Sequence, residues 1–355
     1  MAYTAIDDPS AYFKVQLYAG DGSANHAITF DDTDTDMQPD LVWIKNRSAT
    51  DSHCVFDAVR GATEVLHADT TAIEATDADT LDSFTSDGFQ VDADVKVNTN
   101  AENYVAWCWK AGAGAGSSNT DGSINTTSTS VSQTAGVSIS KYTGTAANAT
   151  VGHGLGVVPK MMIIKNLIDV DPWIVYHAGV DATAPEDYNL RLNTTEARIN
   201  EAPKWNDTAP TSSVFSLGSS GANNGSGDAT IAYCFAEKQG FSKFGSYEGN
   251  GNASGTYIHL GFSAAWIMFK HTSDTQSWYI YDVERRTYNP MNTFIKADTN
   301  QAEGTSGVNI FDITSNGIKI RNTGSVINTD GVTYIYMAFA EAPFVNSEGG
   351  PCNAT

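Results

Sequence analysis

Four aspartates near the N-terminus are the first residues in the chain whose type and spacing could bind a metal ion. They are Asp31, Asp32, Asp34 and Asp36. Carboxylate oxygens are ligands that Ca²⁺ prefers in proteins. The run nevertheless lacks the glycine at the sixth position and the distal glutamate of an EF-hand loop. The sequence therefore favours a solvated loop over a calcium site, and it predicts no other cofactor.

Three lysines, each at the end of a short apolar run, form a second candidate set: Lys45, Lys165 and Lys270. One interpretation is an anion-binding site that occurs three times. A lysine at the end of a buried strand, however, commonly packs its methylene groups over apolar atoms while its ammonium group reaches water or a carboxylate. Because all three lysines keep this place beside different loops, we predict a structural role.

Four tryptophans could stack against sugar rings: Trp43, Trp173, Trp266 and Trp278. Aromatic side chains have large apolar areas, so they are usually buried. In a chain with 10% aromatic residues, we expect most of the four to belong to the core. Which of them, if any, lines a ligand surface is left open, and no binding residue is assigned.

The sequence contains no recognisable catalytic set. There is no Gly-x-Ser-x-Gly turn, the seven histidines are isolated, and no His-x-x-x-His or Cys-x-x-Cys pair offers a metal site. A carboxylate pair for glycoside cleavage stays open, because folding rather than spacing assembles such pairs. We therefore predict a non-enzymatic protein, with a polysaccharide-degrading enzyme as a minor alternative. Cys108 and Cys234 are interpreted as inert core thiols.

The elements that position these residues occur three times along the chain. The lysine-ended runs occupy residues 39–45, 159–165 and 264–270. Each run follows a Tyr-x-Gly step that begins at Tyr18, Tyr142 or Tyr247, and each unit closes on an apolar strand at 104–109, 230–235 or 334–339. Landmarks that keep the same order three times indicate a duplicated folding unit.

The apolar runs predict an all-β protein. They are short, rich in Val, Ile and aromatic residues, and bounded by Gly, Asn, Asp and Ser. The lysine-ended runs are apolar on both faces, which is typical of central strands covered on both sides. We predict three tandem β-sandwich repeats of jelly-roll type, about 100 residues each, with an up-and-down barrel as the alternative. The stretch 57–69 is predicted as a short helix or an irregular loop.

The predicted organisation has six parts. They are an N-terminal arm (1–12), repeat 1 (13–110), a Gly/Ser/Thr-rich linker (111–136), repeat 2 (137–238), repeat 3 (239–344) and a C-terminal tail (345–355). The linker composition favours a flexible connection or a loosely paired arm. The joint between repeats 2 and 3 is short, so we expect those two to be fixed and the first repeat to move relative to them.

Charge and hydropathy restrict the partners. The chain has 41 acidic and 20 basic residues, a formal net charge of −21. Such a charge repels a phosphate backbone, so nucleic acid is not an expected partner. No apolar stretch approaches the roughly 20 residues that span a bilayer, so membrane insertion is not expected. The N-terminus lacks a basic segment followed by an apolar one, so no secretory signal is expected.

Several strings in the sequence resemble a family of repeat-containing virion proteins of marine tailed bacteriophages, cyanophages among them. The similar residues are 38–47, 57–61, 104–110, 153–156 and 334–341, the last running into Pro343 and Phe344. The resemblance implies a virion protein that is assembled in the host cytoplasm, with no catalytic residues to transfer. The second unit departs from the pattern, since it has His177 where the others have Asp57 and Asp282.

The resemblance leads to a functional expectation. We expect a structural virion protein, foremost a tail fibre or tail-associated appendage that takes part in host attachment. The alternative is a capsid decoration, head-appendage or adaptor protein, with residues 5–13 as its docking arm. The expected partners are other virion proteins and a host surface glycan or receptor. A homo-oligomer, a trimer by analogy with fibres, is expected as well.

Overall fold

The protein is an all-β chain, as predicted. A computed structural model describes residues 3–30 and 35–352, and nearly all of its regular secondary structure is β-strand. β-branched and aromatic residues fill these strands because their side chains pack well on a pleated surface. Within the described ranges, no helix combines the length and the apolar character that crossing a bilayer would require.

The described strands fall into three consecutive groups, which we call units 1, 2 and 3. Unit 1 contains β1 (Phe13–Ala19), β2 (His26–Thr29), β3 (Leu41–Asn46), β4 (Cys54–Asp57), β5 (Gly61–Leu66), β6 (Ala75–Thr76), β7 (Leu81–Thr85), β8 (Gly88–Val91) and β9 (Asn103–Trp109). Unit 2 contains β10 (Ser128–Ser132), β11 (Val137–Thr143), β12 (Ala149–Gly152), β13 (Met161–Asn166), β14 (Ile174–His177), β15 (Tyr188–Arg191), β16 (Ile199–Asn200), β17 (Val214–Leu217) and β18 (Ala229–Phe235). Unit 3 contains β19 (Ser242–Glu248), β20 (Tyr257–His259), β21 (Phe262–His271), β22 (Tyr279–Asp282), β23 (Thr293–Lys296), β24 (Gly304–Thr305), β25 (Phe311–Thr314), β26 (Gly317–Ile320) and β27 (Thr333–Pro343).

Helical structure in the described residues is limited to single turns. The α-helical turns are α1 (Val95–Asn98), α2 (Ala202–Trp205) and α3 (Gly221–Asn224), and 3₁₀ turns lie at Pro9–Ala11 and Pro185–Asp187.

Each unit has one large and one small antiparallel sheet. The large sheets have the orders β1-β9-β3-β4-β5-β6, β10-β11-β18-β13-β14-β15-β16 and β19-β27-β21-β22-β23-β24. The small sheets are β2-β8-β7, β12-β17 and β20-β26-β25. The lysine-ended strands β3, β13 and β21 therefore occupy corresponding places, each between a closing strand and the strand that follows it in the chain.

The large sheets are buried on both faces, and two different cores explain why. Alternate residues of each lysine-ended strand point to opposite faces. In β3, Val42 and Ile44 belong to a core shared with the small sheet of unit 1. Leu41 and Trp43 belong instead to a central core that receives residues from all three units. Units 2 and 3 have their own outer cores, so each large sheet lies between an outer core and the central one.

The shared central core overturns one expectation from the sequence and bears on a second. Unit 1 was expected to move relative to the others, but Phe13 stacks on Phe339 of unit 3, with ring centroids 4.9 Å apart. The linker was expected to be a flexible connection or a loosely paired arm, and part of it is paired: β10 pairs with β11 along the edge of the second large sheet. In the same linker, the backbone N–H groups of Ala111 and Gly114 each donate to the carboxylate of Asp40 at 2.7 Å. Tertiary contacts therefore order sequence that has little apolar surface.

Residues 57–69 and the N-terminal arm are both ordered by contacts within the chain. The stretch 57–69 is neither a helix nor an irregular loop, because β5 pairs there with β4. The N-terminal arm packs on its own chain, since Ile6 is buried in the central core and the Tyr3 hydroxyl donates to the carbonyl of Gly261 at 2.9 Å. The jelly-roll type, the repeat count and the domain boundaries stay predictions.

Candidate functional site: the unit junctions and the cleft between units 1 and 3

The three recurring lysines are buried, not surface residues that reach water. Their exposed fractions are 0% for Lys45, 0% for Lys165 and 1% for Lys270. Each ammonium group donates to backbone carbonyls; that of Lys165 binds the carbonyl of Asn166 at 2.7 Å and that of Thr71, in unit 1, at 3.4 Å. Burial lowers the pKa of all three lysines to about 8. The lysines therefore bind backbone carbonyls inside the protein, and they do not form an anion site.

The predicted tryptophans are also internal. Trp43, Trp173, Trp266 and Trp278 are each at most 6% exposed, so none presents a ring face to a sugar. A cavity in the central core, lined in part by Trp43, Trp173 and Trp266, has a volume of only about 20 Å³. A space of this size accommodates a single water at most. The tryptophans therefore support the framework.

Aromatic N–H groups at corresponding positions join the units in a closed ring. His53, Trp173 and Trp278 each precede the strand that follows the lysine-ended strand. Their ring nitrogens meet backbone carbonyls of a neighbouring unit: His53 Nε2 with Lys296 at 3.0 Å, Trp173 Nε1 with His67 at 3.0 Å and Trp278 Nε1 with Arg191 at 2.9 Å. The contacts run from unit 1 to 3, from 2 to 1 and from 3 to 2, so the ring has no free end.

His53 fits this role only when it is neutral. The indole N–H of Trp43 donates to His53 Nδ1 at 2.8 Å, so Nδ1 is an acceptor and the proton is on Nε2, where it is donated to Lys296. A second ring proton would oppose the Trp43 donor. Burial, together with the charge of Lys45, lowers the pKa of His53 to about 3.

Two of the three junctions contain a buried ion pair that the sequence analysis did not identify. Arg60 Nε lies 2.5 Å from Asp57 Oδ2, and Arg285 Nε lies 2.6 Å from Asp282 Oδ2, with all four side chains fully enclosed. Each aspartate also accepts a hydrogen bond from another unit. The recurring Asp-x-x-Arg spacing was the sequence signal for these pairs, and it was visible in the chain.

The third junction replaces this charged arrangement by a neutral one. His177 lies at the place of the aspartate, and Val180 lies at the place of the arginine. The backbone N–H of Gly179 donates to His177 Nδ1, so Nε2 carries the proton and meets the carbonyl of Tyr336 at 3.1 Å. Burial lowers the pKa of His177 to about 4. The departure of unit 2 from the repeat pattern is therefore accommodated within its junction.

The Tyr-x-Gly steps are structural corners that each depend on one buried asparagine. The hydroxyls of Tyr18, Tyr142 and Tyr247 donate to the carbonyls of Val97, Asn223 and Ile327. The next residues, Asn98, Asn224 and Asn328, accept the backbone N–H that follows each step's glycine. A Cβ on any of these glycines would overlap the carbonyl oxygen of a neighbouring loop. Each asparagine lies six residues before its closing strand's tyrosine or threonine, a spacing that the sequence reading missed.

The remaining predicted residues do not form a site in the described part of the chain. Asp31, Asp32 and Asp34 lie outside the described residues, and Asp36 is exposed. Among the residues that the structure describes, no group of three His, Cys, Asp or Glu side chains could hold a metal ion. All four cysteines are free thiols, and burial raises the pKa of Cys108 and Cys234.

A cleft lies between units 1 and 3, close to the ring of junctions. It has a volume of about 480 Å³ and lies between β1 and the segments around Glu284 and Glu341. A second cleft of about 170 Å³ shares these two glutamates and adds Arg286 and Tyr288. Burial raises the pKa of Glu284, and the carboxylates of Asp282 and Glu341 raise it further. The two glutamates offer acceptors for ligands that bear hydroxyl groups, and Lys14 and Arg286 lie beside them in the two linings.

The comparison with family models assigns the chain to a family. The model of the Domain of unknown function (DUF7483) matches residues 8–343, which is nearly the whole chain. The chain belongs to the DUF7483 family. No match was found among curated proteins. In this DUF7483 member the match includes all three units, so the ring of junctions and the cleft both lie within the family's matched region.

Proposed function

We propose that the chain is a non-enzymatic structural protein of a bacteriophage virion, a tail fibre or tail-associated appendage that takes part in host attachment. The observation that carries the proposal is that the polar side chains at the unit junctions are engaged in contacts within the chain. The recurring lysines, His53, His177 and both Asp-x-x-Arg pairs bind other groups of the same chain. Such a framework holds loops and clefts in fixed places for contact with other molecules.

The resemblance to repeat-containing proteins of marine phages supports a role for this framework in a virion, outside the cell. A protein outside a cell must resist unfolding without continuous repair, and a core shared by three units opposes the separate opening of any one of them. The cleft with Glu284, Glu341 and the exposed Tyr288 is the proposed contact for a host glycan. Carboxylates accept hydrogen bonds from sugar hydroxyls, and an aromatic ring stacks on a sugar face.

The first experiment locates and counts the protein in purified particles of the phage that encodes it. Immunogold labelling together with quantitative mass spectrometry is expected to place a few to tens of copies on the tail. Hundreds of copies on the head would favour the decoration alternative instead. Absence from particles that infect normally would refute the proposal.

The second experiment tests attachment itself. Labelled wild-type chain is expected to adsorb to host cells and to lower phage adsorption in competition. A Glu284→Gln/Glu341→Gln variant keeps the side-chain shapes and is expected to adsorb at least about tenfold less, with Glu348→Gln, an exposed site elsewhere, as the matched control. Shortened glycan products after incubation with host polysaccharide would favour the enzyme alternative.

A further inference from the structure

Three large apolar side chains are exposed together at the junction of units 1 and 2. They are Ile73, Ile168 and Val170, with exposed fractions of 44%, 51% and 72%. They flank a backbone hydrogen bond between the units, in which the N–H of Glu74 donates to the carbonyl of Leu167 at 2.9 Å. We call these three residues the junction patch.

The same backbone hydrogen bond occurs at the other two junctions. The N–H of Arg198 donates to Thr272 at 2.8 Å, and the N–H of Glu303 donates to Arg47 at 3.0 Å. The three junctions can therefore be compared position by position. The places of Ile73, Ile168 and Val170 are taken by Ala197, Ser273 and Thr275 at one junction and by Ala302, Ser48 and Thr50 at the other.

This comparison shows that the fold does not need the apolar side chains. Two junctions make the same interunit bond with small or polar residues in these places. An exposed isoleucine or valine does not contribute the stabilisation that its burial would give, about 25 cal/mol for each Å² of apolar area. Single exposed apolar residues are ordinary, but several at one place mark a contact surface. The interunit bond therefore does not account for the apolar side chains of the patch.

The charges around the patch indicate what binds there. Asp169 and Asp171 lie between and beside Ile168 and Val170, and the chain as a whole carries −21. A second copy of the chain would bring like charges together at the rim, which opposes self-association. A partner surface with apolar side chains flanked by Lys or Arg would cover the apolar residues of the patch and pair its cations with the two aspartates.

We propose that the junction patch is the docking site for a protein partner whose contact surface has an apolar centre and a basic rim. The proposal goes beyond the proposed function, because a tail, a capsid or another assembly could supply such a partner. Its failure would leave the host-attachment proposal untouched, since that depends on the cleft of units 1 and 3.

A variant that copies the other junctions tests the proposal. Ile73→Ala/Ile168→Ser/Val170→Thr introduces the residues that the chain already uses at the corresponding places, and it leaves the net charge unchanged. The probes are two labelled amphipathic helical peptides, one of Leu and Lys and one of Leu and Glu. Fluorescence anisotropy is expected to show that the Leu/Lys peptide binds the triple variant at least about tenfold more weakly than wild type.

The controls decide between the outcomes. Val308→Thr alters an exposed valine in unit 3, 57% exposed, and is expected to leave peptide binding unchanged. Equal binding of the Leu/Lys peptide to wild type and triple variant would overturn the proposal, as would equal binding of the Leu/Glu peptide to wild type. Sedimentation velocity shows whether the patch binds a second copy of the chain. A dimer formed by wild type but not by the triple variant would assign the patch to a second copy of the chain.

Discussion

The indole N–H of Trp107 in unit 1 donates to the carboxylate of Asp282 in unit 3, with the two atoms 3.0 Å apart. The corresponding contact between units 2 and 1 joins the hydroxyl of Tyr233 to Asp57 at 2.7 Å. At the corresponding place unit 3 has Met337, which cannot donate, and the residue facing unit 3 is His177 rather than an aspartate. Donor and acceptor have thus changed together at the third junction.

Removing the Tyr233 hydroxyl should weaken the whole protein and not only one unit. Tyr233→Phe takes one hydrogen bond from a buried carboxylate, which typically costs about 1–3 kcal/mol of the free energy of unfolding. Urea unfolding followed by tryptophan fluorescence measures the loss. Tyr257→Phe, at a ring that is 43% exposed, is the control, with an expected change of less than about 0.5 kcal/mol. Equal stability of the two variants would contradict the junction's importance.

Restoring the aspartate at the third junction should destabilise the protein. His177→Asp buries a carboxylate at a place where Val180 offers no positive charge, so we expect a loss of about 3–5 kcal/mol at pH 7. His177→Asp/Val180→Arg supplies the partner and should recover part of that loss. Val180→Arg alone is the control for the cost of the larger side chain. If the single aspartate variant unfolds at the same urea concentration as wild type, the neutral junction has no structural significance.

The buried histidines should make the protein acid-sensitive. The pKa of His53 is about 3 and that of His177 about 4 in the folded state, against 6.5 when unfolded. Below pH 6.5 the unfolded chain binds protons that the folded chain excludes, so the free energy of unfolding falls as the pH falls. Each histidine contributes about 1.4 kcal/mol per pH unit in this window.

A glutamine at position 177 isolates this effect. His177→Gln does not titrate, so between pH 6.5 and pH 5 it should lose about 2 kcal/mol less of its unfolding free energy than wild type. The exposed His259 gives the matched control, because His259→Gln should keep the wild-type pH dependence. Parallel pH profiles for wild type and His177→Gln would show that His177 is not held neutral.

The buried lysines should act at the opposite end of the pH scale. The pKa of Lys165 is about 8 in the folded state and 10.5 when unfolded. Between these values the unfolded chain holds a proton that the folded chain has released, so raising the pH relieves the cost of burying the charge. From pH 8 to 9.5 wild type should gain about 2 kcal/mol relative to Lys165→Met. Guanidinium unfolding at the two pH values measures the difference, with the exposed Lys160→Met as a control that keeps the wild-type gain.

Periodicity and residue type were sufficient to predict the β class and the central place of the lysine-ended strands. Met161 to Ile164 is a continuous apolar run, and burial on both faces follows from that alone. What covers the second face was not predictable. Met161 and Ile163 meet residues from other units, whereas Met162 and Ile164 meet the small sheet of their own unit.

The same division applies to the polar residues. The repetition of Lys45, Lys165 and Lys270 was evident in the sequence, but their full burial was not, because the carbonyls that bind Lys165 come partly from Thr71 in a different unit. The composition of the linker indicated a flexible connection or a loosely paired arm, and it is the pairing of β10 with β11 and the hydrogen bonds to Asp40 that order it.

By itself, the sequence determined which residues must be buried, since apolar area and strand periodicity are properties of short segments. Only the tertiary structure decided what they are buried against. The ring closes through contacts between residues that lie far apart in the chain, such as His53 with Lys296 and Trp107 with Asp282. Those contacts depend on how three separate sheets are oriented around one core, and no local pattern encodes that orientation.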